Sequence, residues 1–187
     1  MLPARAPRLH VSAELPGEIP LEPRQAHYLA NVMRLKPGDR FAVFNGRDGE
    51  WIASLVATDR RGGTAETGEQ LRGQPESPTL TYAFAPLKKG RLDYLVEKAA
   101  EMGAGRLQPI LTQHGQVHRI HREKLQRNVI EACEQCGILH VPAIEEPVAL
   151  DRFLEGFGGG TLIAADESLA GEKGDPVAAI RAASPPL

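Results

Sequence analysis

The chain has 187 residues, 42% of them hydrophobic and 25% charged, with a formal net charge of −2. That is long enough to bury a genuine core in one large or two small domains, and the absence of an apolar run near 18 residues excludes a membrane-spanning helix. The near-neutral total hides an asymmetry: residues 143–187 carry eight acids and three bases, and residues 1–142 carry 19 bases against 16 acids, clustered in "KKGR" (88–91) and "HRIHREKLQR" (118–127). Such clusters suit either a solvated helix face or a phosphate backbone.

"PRLHV" (7–11) is a short strand candidate, and "PRQAHYLANVMRL" (23–35) has the apolar spacing of a short helix. His27 within it is either a phosphate or base contact or a structural histidine. "KPGD" (36–39) is a turn with Pro at its second position. "RFAVFNG" then alternates towards an Asn-Gly turn, and "EWIASLVATD" follows as the next strand. "RRGG" turns the chain into "TAETGEQL". Several short strands and one helix predict a compact β-barrel over residues 1–72, and the polar, Pro- and Gly-containing "RGQPESP" (72–78) reads as a linker.

Beyond the linker the pattern changes to alternating strands and helices. "LTYAFAPL" (80–87) is a strand and "RLDYLVEKAAEMG" (91–103) a helix whose Leu92, Leu95, Val96, Ala99 and Met102 fall at helical spacing before Gly103. "RLQPILT" (106–112) is a second strand, 122–136 a second helix, and "GTLIAADES" (160–168) a third strand. Residues 175–183 form a last helix, with Asp175 as N-cap and Pro176 in its first turn. This alternation predicts a parallel α/β sheet. Lys88, Lys89 and Arg91 then stand at the C-terminal end of the first strand, the edge at which open α/β sheets bind ligands. The like-charged Glu97 and Glu101 lie one turn apart on the polar side of the following helix, either solvated or partnered by bases such as Lys98.

The only two cysteines, Cys133 and Cys136, share a helical stripe with Leu125, Val129 and Ala132, while Arg127, Glu131 and Glu134 lie on or near the other side. Both thiols are therefore expected in the core, as small hydrophobes. A zinc site from Cys133, Cys136 and His140, with His114, His118 or His121, is the alternative. It lacks the second Cys-x-x-Cys that structural zinc favours. A redox pair would need its first cysteine at a helix N-terminus, and this pair ends its helix. No Walker loop, G-x-G-x-x-G after a strand or H-E-x-x-H is present, and the residues identify no catalytic base.

Four segments in order, "HYLANVMRLKPGD", "FAVFNG", "APLKKGRLDYLVEKAAEMGAGRLQPILTQHG" and "EACEQCGILHVP", closely resemble the RsmE-type bacterial 16S ribosomal RNA uridine-N3 methyltransferases of the SPOUT class. The resemblance runs from residue 8 to about residue 168. It implies a PUA-like N-terminal barrel for RNA recognition (1–72), a linker (73–78) and an α/β trefoil-knot methyltransferase domain (79–187) that uses S-adenosylmethionine. It also implies a homodimer acting on 16S rRNA, with no metal. By position it makes His27, Arg34, Lys88, Lys89 and Arg91 RNA-facing. Ala165, Asp166 and Glu167 resemble the first cofactor-adjacent loop. Glu97, Lys98, Glu101 and Gln135 fall in characteristic segments without an assigned step. The family's G-P-E-G-G loop and L-G-x-R-I-L-R-x-E-T segment are absent, and Ile138 and His140 stand where related sequences often carry arginines. The expectation is thus a chain that ends before the knot loops and that, as it stands, neither binds the cofactor properly nor methylates RNA. The N-terminus lacks the apolar centre of a signal peptide, which points to the cytoplasm. The competing functional readings are a non-catalytic ribosomal-RNA-binding dimer with a degenerate knot, and the zinc-containing regulator.

Overall fold

The computed structural model describes residues 2, 6–113, 115, 119–165 and 175–182. Its first part is a five-stranded sheet in the order β1-β3-β4-β5-β2, built from β1 (Arg8–His10), β2 (Glu18–Leu21), β3 (Arg40–Phe44), β4 (Glu50–Asp59) and β5 (Gly62–Arg72). The three long strands are antiparallel neighbours, and β1 alone runs parallel to its partner β3. Between β2 and β3 lies α1 (Pro23–His27), which continues as a π-helical turn through Val32. Pro23 suits the first helical position, where its missing N–H would have no partner anyway. Ile19, Leu29, Phe41, Val43 and Leu55 make the centre of this unit's core.

The Asn-Gly hairpin between β3 and β4 is held by the buried Asn45, whose Oδ1 accepts the Arg47 and Asp48 amides. Gly49 follows with φ +82°, and a Cβ there would collide with the Arg72 carbonyl, so only glycine lets β4 begin so close to the end of β5.

The second part opens with β6 (Thr81–Phe84), α2 (Lys89–Glu101) and β7 (Arg106–Leu111), a parallel βαβ unit. After α3 (Arg122–Cys136), β7 also pairs in parallel with two two-residue strands, β8 (Ala143–Ile144) and β9 (Val148–Ala149). Helices α4 (Leu150–Glu155) and α5 (Pro176–Ala182) follow. The Val177 amide donates to Asp175 Oδ1 at 2.9 Å, the N-cap bond expected from sequence. Leu92, Val96 and Ala100 of α2 pack against Leu125, Val129 and Cys133 of α3 and Leu107 of β7. Among the described residues no helix is long and apolar enough to cross a membrane.

Three expectations need correction. Residues 160–165 form no strand, and β8 and β9 take the places beside β7. Met102 is 84% exposed, because α2 ends one residue before it. Of the two cysteines only Cys133 is buried and Cys136 is exposed. Three residues turn a helix through about 300°, and Cys136, in the last turn, falls off the edge of the covered stripe. Burial pushes the Cys133 thiol up to about 12, and its Sγ lies 3.5 Å from the His140 carbonyl oxygen.

The two parts are joined through Arg8. Its Nε meets Glu50 Oε1 at 2.5 Å, and its Nη1 donates to the Cys133 and Glu134 carbonyls at 2.8 and 2.9 Å. Arg72 holds the other Glu50 oxygen at 2.7 Å and donates to the Gly137 carbonyl at 3.0 Å. The Arg8 guanidinium also lies 4.7 Å over the ring of Phe44, a β3 residue that belongs to the second core. Burial alone would raise the Glu50 carboxyl; the bonds from Arg72 and Arg8 outweigh it and hold the group below the usual glutamate range.

Replacing Glu50 by Gln leaves Arg8 buried without its counter-charge and should lower stability by about 3 kcal/mol in denaturant unfolding. A carboxyl depressed by folding stabilises above its unfolded pKa and loses that contribution as pH falls through the folded one. The wild-type midpoint should therefore fall more steeply than that of Glu50→Gln below about pH 4. A thiol reagent at neutral pH should modify one cysteine in the native protein and two after denaturation, and Cys136→Ala should remove the native reaction.

Candidate nucleic-acid interface

Folding distributes the sequence-predicted residues over three places. His27 closes α1, exposed, with its Nδ1 3.0 Å from the Asn31 amide nitrogen. Arg34 is exposed just past the π-helical turn and adopts φ +57°, the left-handed region that non-glycine residues seldom enter. That kink brings the Leu35 amide back to the Leu29 carbonyl at 2.9 Å.

The second place is the C-terminal edge of β6. Lys88 caps α2 with extended backbone, and its carbonyl accepts the Arg91 and Leu92 amides at 3.0 and 3.1 Å. Lys89 is the first helical residue. Lys88 and Arg91 are exposed, with no acid held against them among the described residues. Cationic side chains so placed can meet phosphate without first breaking an internal pair.

Glu97, Lys98 and Glu101 follow on the half-buried side of α2. Lys98 Nζ bonds both Glu101 oxygens, at 2.8 and 2.6 Å, and sits 5.6 Å from the Tyr94 ring centroid. The Glu101 bond raises the lysine's pKa. Glu101 is thus partnered rather than left as a like-charge neighbour of Glu97.

The third place was not legible in the sequence. β1 and α1 on one side and α3 on the other enclose an open groove of about 670 Å³. Arg8, His10 and Ser12 lie along β1 and just after it, Arg24, Gln25 and Tyr28 come from α1 and the start of the π-helical turn, and Arg127, Glu131, Glu134 and Gln135 come from α3. Gln135 is the one sequence-predicted site residue among those lining it. The Glu134 carboxylate accepts the His10 amide at 2.8 Å, contrary to its expected place on the outer side of the helix. Burial pushes Glu134 up and His10 down. Arg24 reaches across to Glu131 at 3.8 Å. Arg127 also borders a second concavity of about 490 Å³ with Arg119, His121, Arg122 and Lys124. Within it Lys124 is paired with Asp93 at 2.5 Å and Arg122 with Glu146.

Of the cofactor-loop residues, Ala165 is exposed and outside any strand, while Asp166 and Glu167 lie outside the described residues. His114 and His118 do so as well. The His140 ring faces the Gly105 carbonyl at 2.9 Å, and the described residues contain no group of three His, Cys, Asp or Glu side chains able to hold a metal ion.

The chain is 30% identical over 151 residues to the ribosomal RNA small subunit methyltransferase E of Rickettsia conorii, covering 79% of this chain and 62% of that protein. It is 34% identical over 157 residues to the Synechocystis protein of the same name, covering 81% of this chain and 51% of the relative. It therefore spans less than two thirds of the length of either. Among solved structures, a putative methyltransferase from Legionella pneumophila in complex with the cofactor SAM superposes with a TM-score of 0.71 at 28% identity, covering 82% of this chain and 67% of that one. The ribosomal RNA small subunit methyltransferase E of Neisseria gonorrhoeae, bound to S-adenosyl methionine, also has a TM-score of 0.71, at 24% identity over 81% of this chain and 65% of that one, a likeness of fold. The RNA methyltransferase PUA domain matches residues 21–67. The RNA methyltransferase domain matches residues 75–184, more than half of the chain, and it is to that family that the chain belongs.

Proposed function

We propose that the protein methylates N3 of a uridine in 16S ribosomal RNA, using S-adenosylmethionine. What carries this reading is the parallel β6-α2-β7 unit with Lys88 and Arg91 free at its ligand-binding edge, within the span that matches the RNA methyltransferase domain. The finer architecture belongs to the same reading. Residues 1–72 close into a PUA-like barrel, 73–78 link it to a SPOUT domain from residue 79, and the whole enzyme is a cytoplasmic homodimer with a trefoil knot. The five-stranded sheet and the PUA match support the first of these, and the parallel sheet with the SAM-bound structural neighbour supports the second.

The cofactor supplies a methyl group already activated on a sulfonium. Ala165, alone of its loop among the described residues, has no side-chain donor with which to hold adenine or a methionine carboxylate, so no step is assigned through that loop. The chain's own part is positioning. Lys88, Lys89 and Arg91, with His27 and Arg34 on the preceding unit, hold backbone phosphates and orient the strand. The N3 edge must be unpaired, so the substrate segment is single-stranded or flipped. Loss of the N3 proton requires a base or an anion-stabilising group.

Full-length protein incubated with methyl-labelled S-adenosylmethionine and small ribosomal subunits should label 16S rRNA at a uridine. Cofactor binding without any labelling would overturn the catalytic reading and favour a non-catalytic RNA-binding dimer. Replacing Lys88 and Lys89 together by Gln should weaken RNA binding about tenfold at low salt and less at high salt.

A further inference from the structure

We propose that the groove between α1 and α3 is a track for single-stranded RNA, and that Glu131 occupies it as an internal anion that an RNA phosphate displaces from Arg24. This rests on the RNA-binding reading above but uses none of the cations assigned there.

The groove's composition selects its occupant. Its volume of about 670 Å³ lies within the range of about 300–1,000 Å³ that takes ligands of nucleotide size. Arg24 comes from one wall and Arg127 from the other, so a strand lying between them would meet a cation on either side. Tyr28, 37% exposed, offers a ring to the groove, and stacking on a tyrosine tolerates any base because every base has a π-face. The exposed Gln135 amide, with two donors and an acceptor, can read a base edge. The apolar side chains, Leu9, Ile130 and the Tyr28 ring, stand among arginines, glutamates and amides, a mixed lining that suits a ligand with both charges and flat bases.

Length of track argues for a polynucleotide over a mononucleotide. Arg127 belongs to both concavities, so the lining runs on along α3 to Arg119, and within the groove Arg8, Arg24 and Arg127 alternate with Glu22, Glu131 and Glu134. Arg119 and Arg127 hold no acid among the described residues, whereas Arg122 and Lys124 are committed to Glu146 and Asp93.

Glu131 sets the sign of the test. It stands 3.8 Å from Arg24, with side chains 58% and 77% exposed. An exposed pair of this kind contributes little, and a phosphate, with more charge and more acceptor oxygens, competes well for a guanidinium. Removing the carboxylate frees Arg24 and removes a repulsion. A pair that merely held α1 to α3 would behave oppositely.

The experiment is fluorescence anisotropy of the chain with a labelled uridine-rich single strand of about ten nucleotides, across a salt series, with thermal unfolding of every variant as a folding check. Arg24→Gln and Arg127→Gln should each weaken binding about fivefold and lower the salt slope by about one. Tyr28→Leu should weaken it about tenfold with the slope unchanged. Glu131→Gln should tighten it about two- to fivefold, and Arg61→Gln in the β4–β5 turn should change nothing. Wild-type binding that depends on Lys88 and Lys89 but not on Arg24, Arg127 or Tyr28 would overturn the groove and leave the RNA reading standing. Absence of wild-type binding would overturn both. Weaker binding by a folded Glu131→Gln would overturn the displaced-anion role. Equal binding of an acidic peptide, indifferent to Tyr28→Leu, would overturn the RNA track in favour of a protein partner.

Discussion

The arrangement of the two units depends on one buried carboxylate. Glu50, at the start of β4, is 5% exposed and held by Arg8 from the edge strand β1 and Arg72 from the end of β5. A lone glutamate there would be driven to its neutral form by desolvation. With two guanidiniums against it the charge persists, and the arginines have donors to spare. These go to the carbonyls of Cys133, Glu134 and Gly137, at the end of α3 where the helix dipole favours a cation. One ion cluster thus closes the first sheet and fixes the C-terminal end of a helix in the second unit. The Arg8 contact with Phe44 adds a packing link, since that β3 ring is buried among α2 and α3 side chains.

That constraint also shapes the groove. The α3 wall is anchored at its C-terminal end by Arg8 and by the Glu134–His10 contact, so Glu131, Gln135 and Arg127 face α1 at a set separation. At its other end α3 is tied by Lys124 to Asp93 of α2 and by Arg122 to the carbonyl of Ile144 in β8. A helix held at both ends by charged contacts is a rigid wall, and a rigid wall lowers the ordering cost of binding a flexible strand.

Much of the fold was legible because local periodicity and burial agree. The stripe of Leu125, Val129, Ala132 and Cys133 and the left-handed Gly137 delimit α3 at the bounds expected, and β6, α2 and β7 follow the same logic. The misses are equally local in origin. β2 contains Pro20, a poor strand former, yet an edge strand tolerates it because no ladder donor is needed on its open side. β8 and β9 are two residues each, too short to show any period. The run at 160–165 is apolar enough to suggest a strand, but Leu162 and Ile163 remain about half exposed beside no strand. Periodicity puts Glu134 on or near the side of α3 away from its apolar stripe, and it knows nothing of the β1 strand that covers that side.

The candidate site divides the same way. The position of Lys88, Lys89 and Arg91 was readable because a strand-to-helix junction in a parallel sheet has a fixed place; their role in binding RNA is part of the proposal. The groove is assembled from residues 8–28 and 127–135, distant segments of the chain, with arginines and glutamates intermixed. No window of sequence carries that charge pattern, and in composition it averages to nothing. Yet a mixed lining has a physical consequence that a uniformly basic one lacks. Acids interleaved with arginines oppose any polyanion whose charges do not fall on the cations, so the groove gives up general affinity for register. A duplex, stiff and with phosphates on both faces, would set charges against Glu131 and against Glu22, which also lines the groove, wherever it lay. A single strand can bend its phosphates towards Arg24 and Arg127 and leave its bases to Tyr28 and Gln135. The discrimination lies in where the carboxylates stand, and that is visible only once α1 and α3 face each other.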